Sequence, residues 1–301
     1  MESHIKTWST AVKSEEKKII PCAICGSLKF KPSLSCEGFN YVRCARCSLV
    51  QMNPQPVKKE VMGRYLSEDY LKYELANEEN YLNLQLLALN DTGFNKLEKG
   101  LFSAPKSPVP VPNPPLSAPR ILDLGCATGS LLSLLGERGW ETTGVEICKA
   151  QADHGRKMRQ LNISELPLED NNFSPSSFNV VLASHVIEHL NDPASFVREV
   201  HRILIPGGSF FVTTPNIDGF QARLFGKHWR SAIFDHLYLF SIKTLRQLLE
   251  DAGFITEKTV SWGGLAAGSA PAPVKRLFDR TAKRFGFGDV VITRSRKNSE
   301  I

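Results

Sequence analysis

Residues 120–132 read RILDLGCATGSLL, an apolar run that reaches Asp123 and is followed by Gly125 and Gly129. The apolar part has the pattern of a buried strand, and SLLSLLGERG after it has the pattern of a helix. Glycines between a strand and a helix let the backbone approach a ligand closely, beside the helix N-terminus. The stretch therefore predicts a ligand-binding turn; the alternative is that the two glycines only permit the turn.

The segments after this turn alternate between strand and helix patterns. Strands are predicted at ETTGVEI, FNVVLAS, SFFVTTP, FITEKTVSW and GDVVITRSR, and helices at CKAQADHGRKMRQ, PASFVREVHRIL and IKTLRQLLEDAGF. Alternating elements of this length indicate crossover units, which build a parallel sheet covered by helices on both faces. The predicted fold class is therefore α/β.

Glu146 ends the second strand, where a carboxylate can accept hydrogen bonds from both hydroxyl groups of a ribose. Two nucleoside cofactors compete for such a site. The dinucleotide fingerprint needs G-x-G-x-x-G, and the G-C-A-T-G of this chain offers no match for the third glycine. An S-adenosylmethionine pocket instead has an acid before the first glycine, as Asp123 stands here. The pattern favours S-adenosylmethionine; the alternative for Glu146 is a solvated strand end.

Three segments, RILDLGCATGSLL, TTGVEI and LPLEDNNFSPSSFNVVLASHVIEHL, resemble the successive motifs of class I S-adenosylmethionine-dependent methyltransferases over about residues 120–294. The resemblance implies a Rossmann-like fold with a mostly parallel seven-stranded sheet, and S-adenosylmethionine as the cofactor. It implies that the turn surrounds the methionine moiety, Glu146 binds the ribose and Glu165 lies near the adenine. Ala127 stands where the family usually has glycine, and we expect a slightly tighter turn without lost binding. The cofactor-binding residues implied are Asp123, Gly125, Cys126, Ala127, Gly129, Glu146, Ile147, Glu165 and Ser184.

Residues 185–189, HVIEH, have the H-x-x-E-H spacing of an inverted zinc-protease helix. Such a helix should continue for several turns, whereas this segment follows a strand directly and precedes Asn191-Asp192-Pro193, so the context argues against a protease. Three roles stay open for His185, Glu188 and His189: local hydrogen bonds that hold the loop, a general base, or a divalent-ion site. The ubiquinone-biosynthesis O-methyltransferases look similar here but have a glutamate in place of His185, and imidazole favours softer metals than magnesium.

A second candidate stretch, residues 227–240, lies where related enzymes place loops that contact the acceptor. Trp229, His236 and Tyr238 could stack on an acceptor ring and hydrogen-bond to it. Alternatively, the apolar residues of the stretch anchor it in the core while His236 satisfies a backbone group. His236 joins His185, Glu188 and His189 as a catalytic candidate.

Two cysteine pairs lie near the N-terminus, Cys22-Ala-Ile-Cys25 and Cys44-Ala-Arg-Cys47, with eighteen residues between them. This C-x2-C and C-x2-C spacing lets two tight turns place four thiolates around a tetrahedral zinc ion. Four protein ligands leave no open coordination position, so the predicted zinc is structural. The alternative is four unrelated buried thiols. The segment also resembles the zinc-ribbon module found ahead of some of these methyltransferases.

Changes in composition divide the chain into five parts. The fourth part has seven prolines in sixteen residues, a density that neither a helix nor a sheet tolerates. The predicted parts are a polar tail (1–19), a zinc-ribbon-like module (20–58), a helical connector or lid (59–103), a Pro-rich linker (104–119) and the methyltransferase domain (120–301).

The composition, 42% hydrophobic and 23% charged with a net charge of +6, is that of a globular protein and does not by itself indicate nucleic acid. Neither a signal peptide nor a membrane span is visible, and we expect a cytoplasmic protein. The leading hypothesis is a methyltransferase for an oxygen, or less favoured a carbon, of a sugar, quinone or secondary metabolite. An RNA methyltransferase is disfavoured because the ribbon offers few cations and few aromatics. A non-catalytic S-adenosylmethionine-binding protein is the third class.

Overall fold

The structure is a computed structural model that describes residues 19–56, 68–103, 118–264 and 271–298. Most of the predicted polar tail and most of the Pro-rich linker lie outside the described residues. Within the described part, none of the helices is both long and apolar enough to cross a membrane.

A seven-stranded sheet forms the centre of the molecule, in the order β10-β11-β8-β7-β4-β5-β6. The strands from β8 to β6 in this order are parallel, and β11 pairs antiparallel with both β8 and β10. The predicted Rossmann-like α/β fold is therefore confirmed. The strands are β4 (Arg120–Leu124), β5 (Glu141–Val145), β6 (Ile163–Ser164), β7 (Phe178–Ser184), β8 (Leu204–Pro215), β10 (Phe254–Trp262) and β11 (Val290–Lys297).

Helices cover both faces of this sheet, as the continuous apolar strands require. One face packs against helices α5 and α7 through residues such as Val197 and Leu245, and the other packs against α1, α2 and α3. The helices are α1 (Glu68–Asp91), α2 (Phe94–Ser103), α3 (Ser130–Glu137), α4 (Lys149–Arg159), α5 (Pro193–Ile203), α6 (Phe220–Phe225), α7 (Ile242–Asp251) and α8 (Ala272–Phe285).

The predicted helical connector (59–103) forms two helices within its described part. Helix α1 ends at Asp91 and α2 begins at Phe94, because Gly93 adopts a positive φ of 88° that turns the chain. The turn directs Phe94 into the core, where its ring stacks on Trp140 with centroids 5.7 Å apart. On this face of the sheet, residues of α1, α2 and α3 pack together in one apolar cluster.

A second, four-stranded antiparallel sheet contains β1 (Phe30–Cys36), β2 (Phe39–Cys44), β3 (Val50–Met52) and β9 (Tyr238–Leu239), in that order. The first three strands come from the cysteine-rich segment and β9 comes from residues 227–240. Val50 pairs with Leu239, so the small sheet continues directly into the larger part of the chain. The segment boundaries predicted from composition stay predictions.

Candidate functional site

A cleft of about 1390 Å³ opens at the carboxyl ends of β4, β5 and β7, the edge where open parallel sheets bind ligands. Helices α1 and α8 border it on one side, and the loop after α6 borders it on another. Eight of the predicted site residues line it: Gly125, Ala127, Glu146, Ile147, Ser184, His185, His189 and His236. The remaining predicted residues lie beneath or outside it.

The turn after β4 forms the floor of the cleft. Gly125 has φ 71° and Gly129 has φ 78°, and a Cβ on Gly125 would stand 2.5 Å from the Val186 side chain. Ala127 between them also adopts a positive φ, 50°. An alanine in the left-handed backbone conformation costs roughly 1–2 kcal/mol more than one in the right-handed conformation. The extra methyl group therefore adds strain to the turn.

Glu146 ties this turn to the end of β5. Its two carboxylate oxygens accept hydrogen bonds from the backbone N–H groups of Ala127 and Cys148, at 2.9 and 2.8 Å. The residue is 7% exposed and lines the cleft, and burial raises the pKa of its carboxyl group. Each carboxylate oxygen has a second lone pair, so Glu146 can still accept hydrogen bonds from ligand hydroxyl groups.

Two further acids surround Glu146. Burial and the Glu146 charge raise the pKa of Asp123, under the turn, to about 8. Burial, with the charges of Glu146 and Glu78, raises the pKa of Glu74 on α1 to about 6. Glu74 lines the cleft, and no motif pointed to it. When its carboxyl groups are ionised, this acidic cluster, Asp123, Glu146 and Glu74, creates a negative potential that favours a cationic ligand.

Helix α1 is fixed over the turn by polar contacts. Thr128 donates its hydroxyl hydrogen to Glu78, and Arg159 forms an ion pair with the other Glu78 oxygen at 2.7 Å. Gln151 on α4 also lines the cleft. Its amide nitrogen is buried and has no hydrogen-bond partner among the described residues. Such a donor is satisfied most simply by a ligand in the cleft.

Four predicted cofactor residues do not line the cleft: Asp123 and Gly129, which belong to the turn, and Cys126 and Glu165. Cys126 is 6% exposed and packs in a small apolar cluster with Leu132. Glu165 forms ion pairs with Arg156 and with Lys149, whose Nζ lies 3.5 Å from it. The role given to Glu165 stays a prediction; Leu168 and Glu169, a few residues later, line the cleft.

His185 and Glu188 form a hydrogen-bonded pair at the end of β7. His185 has φ 55° and is about half exposed, whereas Glu188 is fully buried in the 3-10 turn Ile187–His189. His185 Nδ1 lies 3.0 Å from Glu188 Oε1, and the Thr214 hydroxyl donates to the other Glu188 oxygen. Burial would raise the pKa of Glu188, but this hydrogen bond and the neighbouring histidines lower it to about 2. An ionised carboxylate can only accept, so His185 carries its proton on Nδ1 and directs Nε2 away from Glu188.

Two more histidines adjoin Glu188. His189 Nδ1 is 2.9 Å from the Asp235 carbonyl oxygen, and His236 Nδ1 is 2.8 Å from the Ser231 carbonyl oxygen. Both rings therefore donate from Nδ1, which leaves Nε2 with a lone pair. Burial lowers the pKa of His236 to about 4, so its ring is neutral near pH 7.

Glu188, His189 and His236 present ligand atoms within 4.8 Å of one another. Two imidazoles, each oriented by a backbone carbonyl, and one carboxylate form a donor set suited to a divalent transition metal. The ion site considered from sequence comprised His185, Glu188 and His189; the structure brings His236 into the set, while His185 bonds to Glu188.

The four paired cysteines also come together, with all four Sγ atoms within 4.8 Å. Sγ of Cys22 is 3.3 Å from that of Cys47, and Sγ of Cys25 is 3.5 Å from that of Cys44. A tetrahedral zinc ion with Zn–S bonds of about 2.3 Å needs sulfur atoms about 3.8 Å apart, close to this arrangement. The cluster is compatible with zinc. Cys36 is outside it and contacts the Lys227 carbonyl oxygen.

The cysteine-rich sheet supports the loop that carries His236. The Tyr41 hydroxyl, at a fully buried residue of β2, lies 2.8 Å from the Ile233 carbonyl oxygen and 2.7 Å from that of His236. The Met52 N–H donates to the Leu237 carbonyl oxygen. The loop is therefore held by the sheet as well as by its own contacts.

Trp229 and Tyr238 in this loop serve the core. Both are at most 2% exposed, and neither lines the cleft. Trp229 donates its indole N–H to Asp289, and the Tyr238 hydroxyl donates to the Asn191 carbonyl oxygen at 3.0 Å. The interpretation of these two rings as a stacking surface for the acceptor was wrong; the anchoring alternative holds, and of the three aromatic candidates only His236 reaches the cleft.

The family match and the similar proteins agree on one class of enzyme. Residues 85–258, more than half of the chain, match the family described as a methyltransferase domain. The chain is 36% identical over 146 residues, 46% of its length and 53% of the relative's, to a "Probable S-adenosylmethionine-dependent methyltransferase" of Mycolicibacterium smegmatis. It is 32% identical over 111 residues, 34% of its length and 46% of the relative's, to a ubiquinone biosynthesis O-methyltransferase of Pseudomonas aeruginosa. The matches thus span about half the length of these relatives.

Among solved structures, the chain is similar to a SAM-dependent methyltransferase of Thermotoga maritima, with 22% sequence identity and a TM-score of 0.48. The similar region covers 73% of this chain and 97% of that protein.

Proposed function

The chain belongs to the methyltransferase domain family, and we propose that it transfers the methyl group of S-adenosylmethionine to an oxygen of a small-molecule acceptor. The observation that carries this proposal is the position of His185, paired with the buried Glu188, in the same cleft as the glycine turn and Glu146. The turn and the acid fit the cofactor, and the histidine fits a proton acceptor beside the reacting methyl group.

The acidic cluster and Gln151 suit the cofactor. S-Adenosylmethionine carries a positive sulfonium and a positive ammonium group, which a negative potential from Asp123, Glu146 and Glu74 would stabilise. The ribose hydroxyls would donate to Glu146, and the unpartnered Gln151 amide would donate to a cofactor acceptor atom. The absence of a side chain at Gly125 keeps the backbone accessible.

The protein needs to supply little catalysis, because a sulfonium methyl group is already activated. The acceptor oxygen attacks the methyl carbon while the carbon–sulfur bond breaks, and the acceptor's proton must leave. His185 Nε2 would take that proton, and the buried Glu188 carboxylate would stabilise the imidazolium that forms. A positioned base of this kind contributes about 10²–10⁴-fold in rate.

Support for an oxygen acceptor comes from the relatives named ubiquinone biosynthesis O-methyltransferases. The cleft of about 1390 Å³ is also larger than the 300–1,000 Å³ typical of a single-ligand pocket, which suits a cofactor together with an acceptor. We therefore place the acceptor among hydroxylated rings, such as sugars, quinols or phenolic secondary metabolites. A carbon acceptor is the less favoured variant.

Two metal sites belong to the proposal. The four cysteines would hold a structural zinc ion. Glu188, His189 and His236 would hold a divalent transition metal, which supplies Lewis-acid polarisation of an acceptor oxygen when bound. Glu188 bonds to His185 as well as belonging to this cluster, so the base and the metal ligands share one carboxylate.

The decisive experiment is methyl transfer from labelled S-adenosylmethionine to three acceptor pools: hydroxylated small molecules, RNA and lipid extract. His185→Gln is the matched variant, because glutamine retains hydrogen bonding without a titratable base. We expect label in the small-molecule or lipid pool with wild type, and a loss of about 10²-fold or more with the variant at unchanged cofactor affinity. Label in RNA would support the RNA-methyltransferase alternative. Cofactor binding without transfer to any pool would support the non-catalytic one.

A further inference from the structure

Helix α8 attaches to the protein through only one of its faces. Ala282 is fully buried, and its carbonyl oxygen accepts a hydrogen bond of 3.0 Å from the Ser261 hydroxyl. Asp279, on the same side, accepts a hydrogen bond from the Gly264 N–H and pairs with Lys275. These contacts fix the helix against β10 and the rim of the cleft.

The outward face of α8 carries an exposed apolar strip. Val274, Leu277, Phe278 and Phe285 are 44%, 61%, 36% and 69% exposed. Their spacings of three, four, seven and eight residues place them on one side of a helix. Single exposed apolar residues are ordinary, but four along 14 residues form a continuous surface that favours an apolar partner.

A basic strip runs beside the apolar one. Arg276, Arg280 and Arg284 recur every four residues and are exposed, and Asp279 is the one acid in the sequence of this helix. Arg276 and Arg280 line the mouth of the cleft and have no ion-pair partner among the described residues. The strip thus offers uncompensated positive charge.

The adjoining helix α6 extends the apolar surface. The rings of Phe220 on α6 and Phe278 on α8 lie 6.2 Å apart, so the two helices are neighbours. Leu224 and Phe225 of α6 are 61% and 47% exposed. We define the docking face as the exposed apolar and basic residues of α6 and α8.

We propose that this docking face binds the surface of an anionic lipid bilayer. An amphipathic helix with aliphatic and aromatic residues on one side and arginines beside them lies in the plane of a membrane, with its apolar side among the acyl chains and its arginines at lipid phosphates. A nucleic acid would contact the arginines through its phosphates. It would leave the exposed Val274, Leu277 and Leu224 without an apolar partner. The aliphatic residues therefore favour lipid over RNA.

Docking would present the cleft to the bilayer. The cleft mouth lies beside α8, and it is also lined by Leu84 and Leu87 of α1, which are 62% and 59% exposed. An apolar lip of this kind suits an acceptor with a long apolar portion that resides in the membrane. This consequence for the acceptor rests on the proposed methyltransferase function, whereas membrane binding itself does not.

The test is co-sedimentation of the full chain with vesicles of phosphatidylcholine alone and of phosphatidylcholine mixed with phosphatidylglycerol. Wild type should bind the mixed vesicles and lose binding as salt is raised. Leu277→Glu with Phe285→Glu should weaken binding by more than about tenfold. Arg276→Gln with Arg280→Gln should weaken it by about fivefold per charge. Met158→Glu is the control, because Met158 is 71% exposed on α4, outside the docking face.

Thermal melting checks that the variants fold. If the Leu277→Glu, Phe285→Glu variant does not fold, the Leu224→Glu, Phe225→Glu variant on α6 replaces it. Leu277 and Phe285 do not line the cleft, so S-adenosylmethionine affinity should be unchanged in that variant; this separates failed docking from a failed cofactor site. Three outcomes would overturn the proposal: no binding of wild type to anionic vesicles, equal binding by the apolar variant, or a dimer in light scattering that the apolar variant abolishes. RNA binding with the same variant sensitivity and no vesicle binding would also overturn it.

Discussion

Binding of S-adenosylmethionine should become tighter as the pH rises from about 6 to about 8, because the acidic cluster must ionise to meet a cationic ligand. Asp123 has a pKa of about 8 and Glu74 a pKa of about 6 in the unliganded protein, both raised mainly by burial. At pH 6 the Asp123 carboxyl is therefore protonated and offers the cofactor no charge. Binding that uses the ionised form must first release that proton.

The size of the effect follows from the distance between the pH and the pKa. Each pH unit below the pKa of Asp123 costs about 1.4 kcal/mol, so binding at pH 6 is weakened by about 2.7 kcal/mol, or about 100-fold, relative to binding to the ionised form. We expect affinity to rise by up to about tenfold per pH unit between pH 6 and pH 8. The stability of the unliganded protein should change in the opposite direction. A carboxyl whose pKa is raised on folding contributes stability at low pH that is lost as the pH rises through the folded-state pKa.

Isothermal titration calorimetry measures both the affinity and the released protons, if it is repeated in two buffers with different ionisation enthalpies. Asp123→Asn preserves the size of the side chain and should flatten the pH dependence, with its largest loss of affinity at the high end of the range. Glu165→Gln is the matched control, because Glu165 pairs with Arg156 outside the cleft and should leave the slope unchanged. S-Adenosylhomocysteine, which lacks the sulfonium charge, should show a smaller slope.

A wild-type affinity that is constant with pH, together with a binding enthalpy that does not depend on the buffer, would refute the reasoning. The same holds if Asp123→Asn retains the full slope, since the titrating group would then lie elsewhere.

Four other predictions follow from the site. Glu146→Ala should weaken S-adenosylmethionine binding by about 1–3 kcal/mol, the cost of leaving ligand hydroxyls unpaired; unchanged affinity by calorimetry would remove Glu146 from the ribose site. Glu188→Gln should lower kcat by more than about tenfold and shift the pH–rate profile, because His185 loses its ionised partner; an unaltered profile would contradict the His185–Glu188 pair. Elemental analysis should find one zinc per chain that Cys44→Ser abolishes, and a second divalent metal that His236→Ala removes while the zinc remains. Tyr41→Phe should cost about 1 kcal/mol of stability and lower kcat at unchanged cofactor affinity, and a variant altered in stability alone would restrict Tyr41 to folding.

The sequence was most informative where the function depends on neighbouring residues. The turn from Asp123 to Gly129 joins one strand to one helix, so its pattern and its conformation are encoded in the same few residues. The cysteine pairs are similar: each C-x2-C unit forms its own turn, in which the N–H of Gly26 or Ser48 donates to the carbonyl of the first cysteine. Spacing alone could therefore predict both local conformations.

Contacts between distant segments could not be predicted in this way. Glu74 reaches the cleft from α1, about fifty residues before the turn, and nothing in the composition of α1 marks one acid among several. His236 joins Glu188 because residues 227–240 fold back across the end of β7, and that return depends on tertiary packing. From the sequence alone, the aromatic residues of that loop could equally face an acceptor or the core. In the structure, Trp229 and Tyr238 are buried in the core.

Helix α8 is also not predicted from the sequence, and the reason is physical. Its apolar residues are largely exposed, so its amphipathic pattern does not describe a helix packed on a core. Among its described side chains, only Ala282 is fully buried. The proline and glycine residues before it are typical of a loop. A helix stabilised by few core contacts gives a weak sequence signal, and its exposed pattern instead indicates a surface that binds something else.

The position of the cysteine cluster gives the proposed structural zinc a consequence for catalysis. Cys44 ends β2, and Tyr41 on the same strand holds the carbonyls of Ile233 and His236 with one hydroxyl group. β3 also pairs with β9. The small sheet beside the four cysteines therefore fixes the backbone on both sides of His236. His236 in turn contacts His189 with ring centroids 4.7 Å apart, and both adjoin the carboxylate that orients His185. Loss of the metal would therefore act on the proposed base through the loop, even though none of the four cysteines lines the cleft.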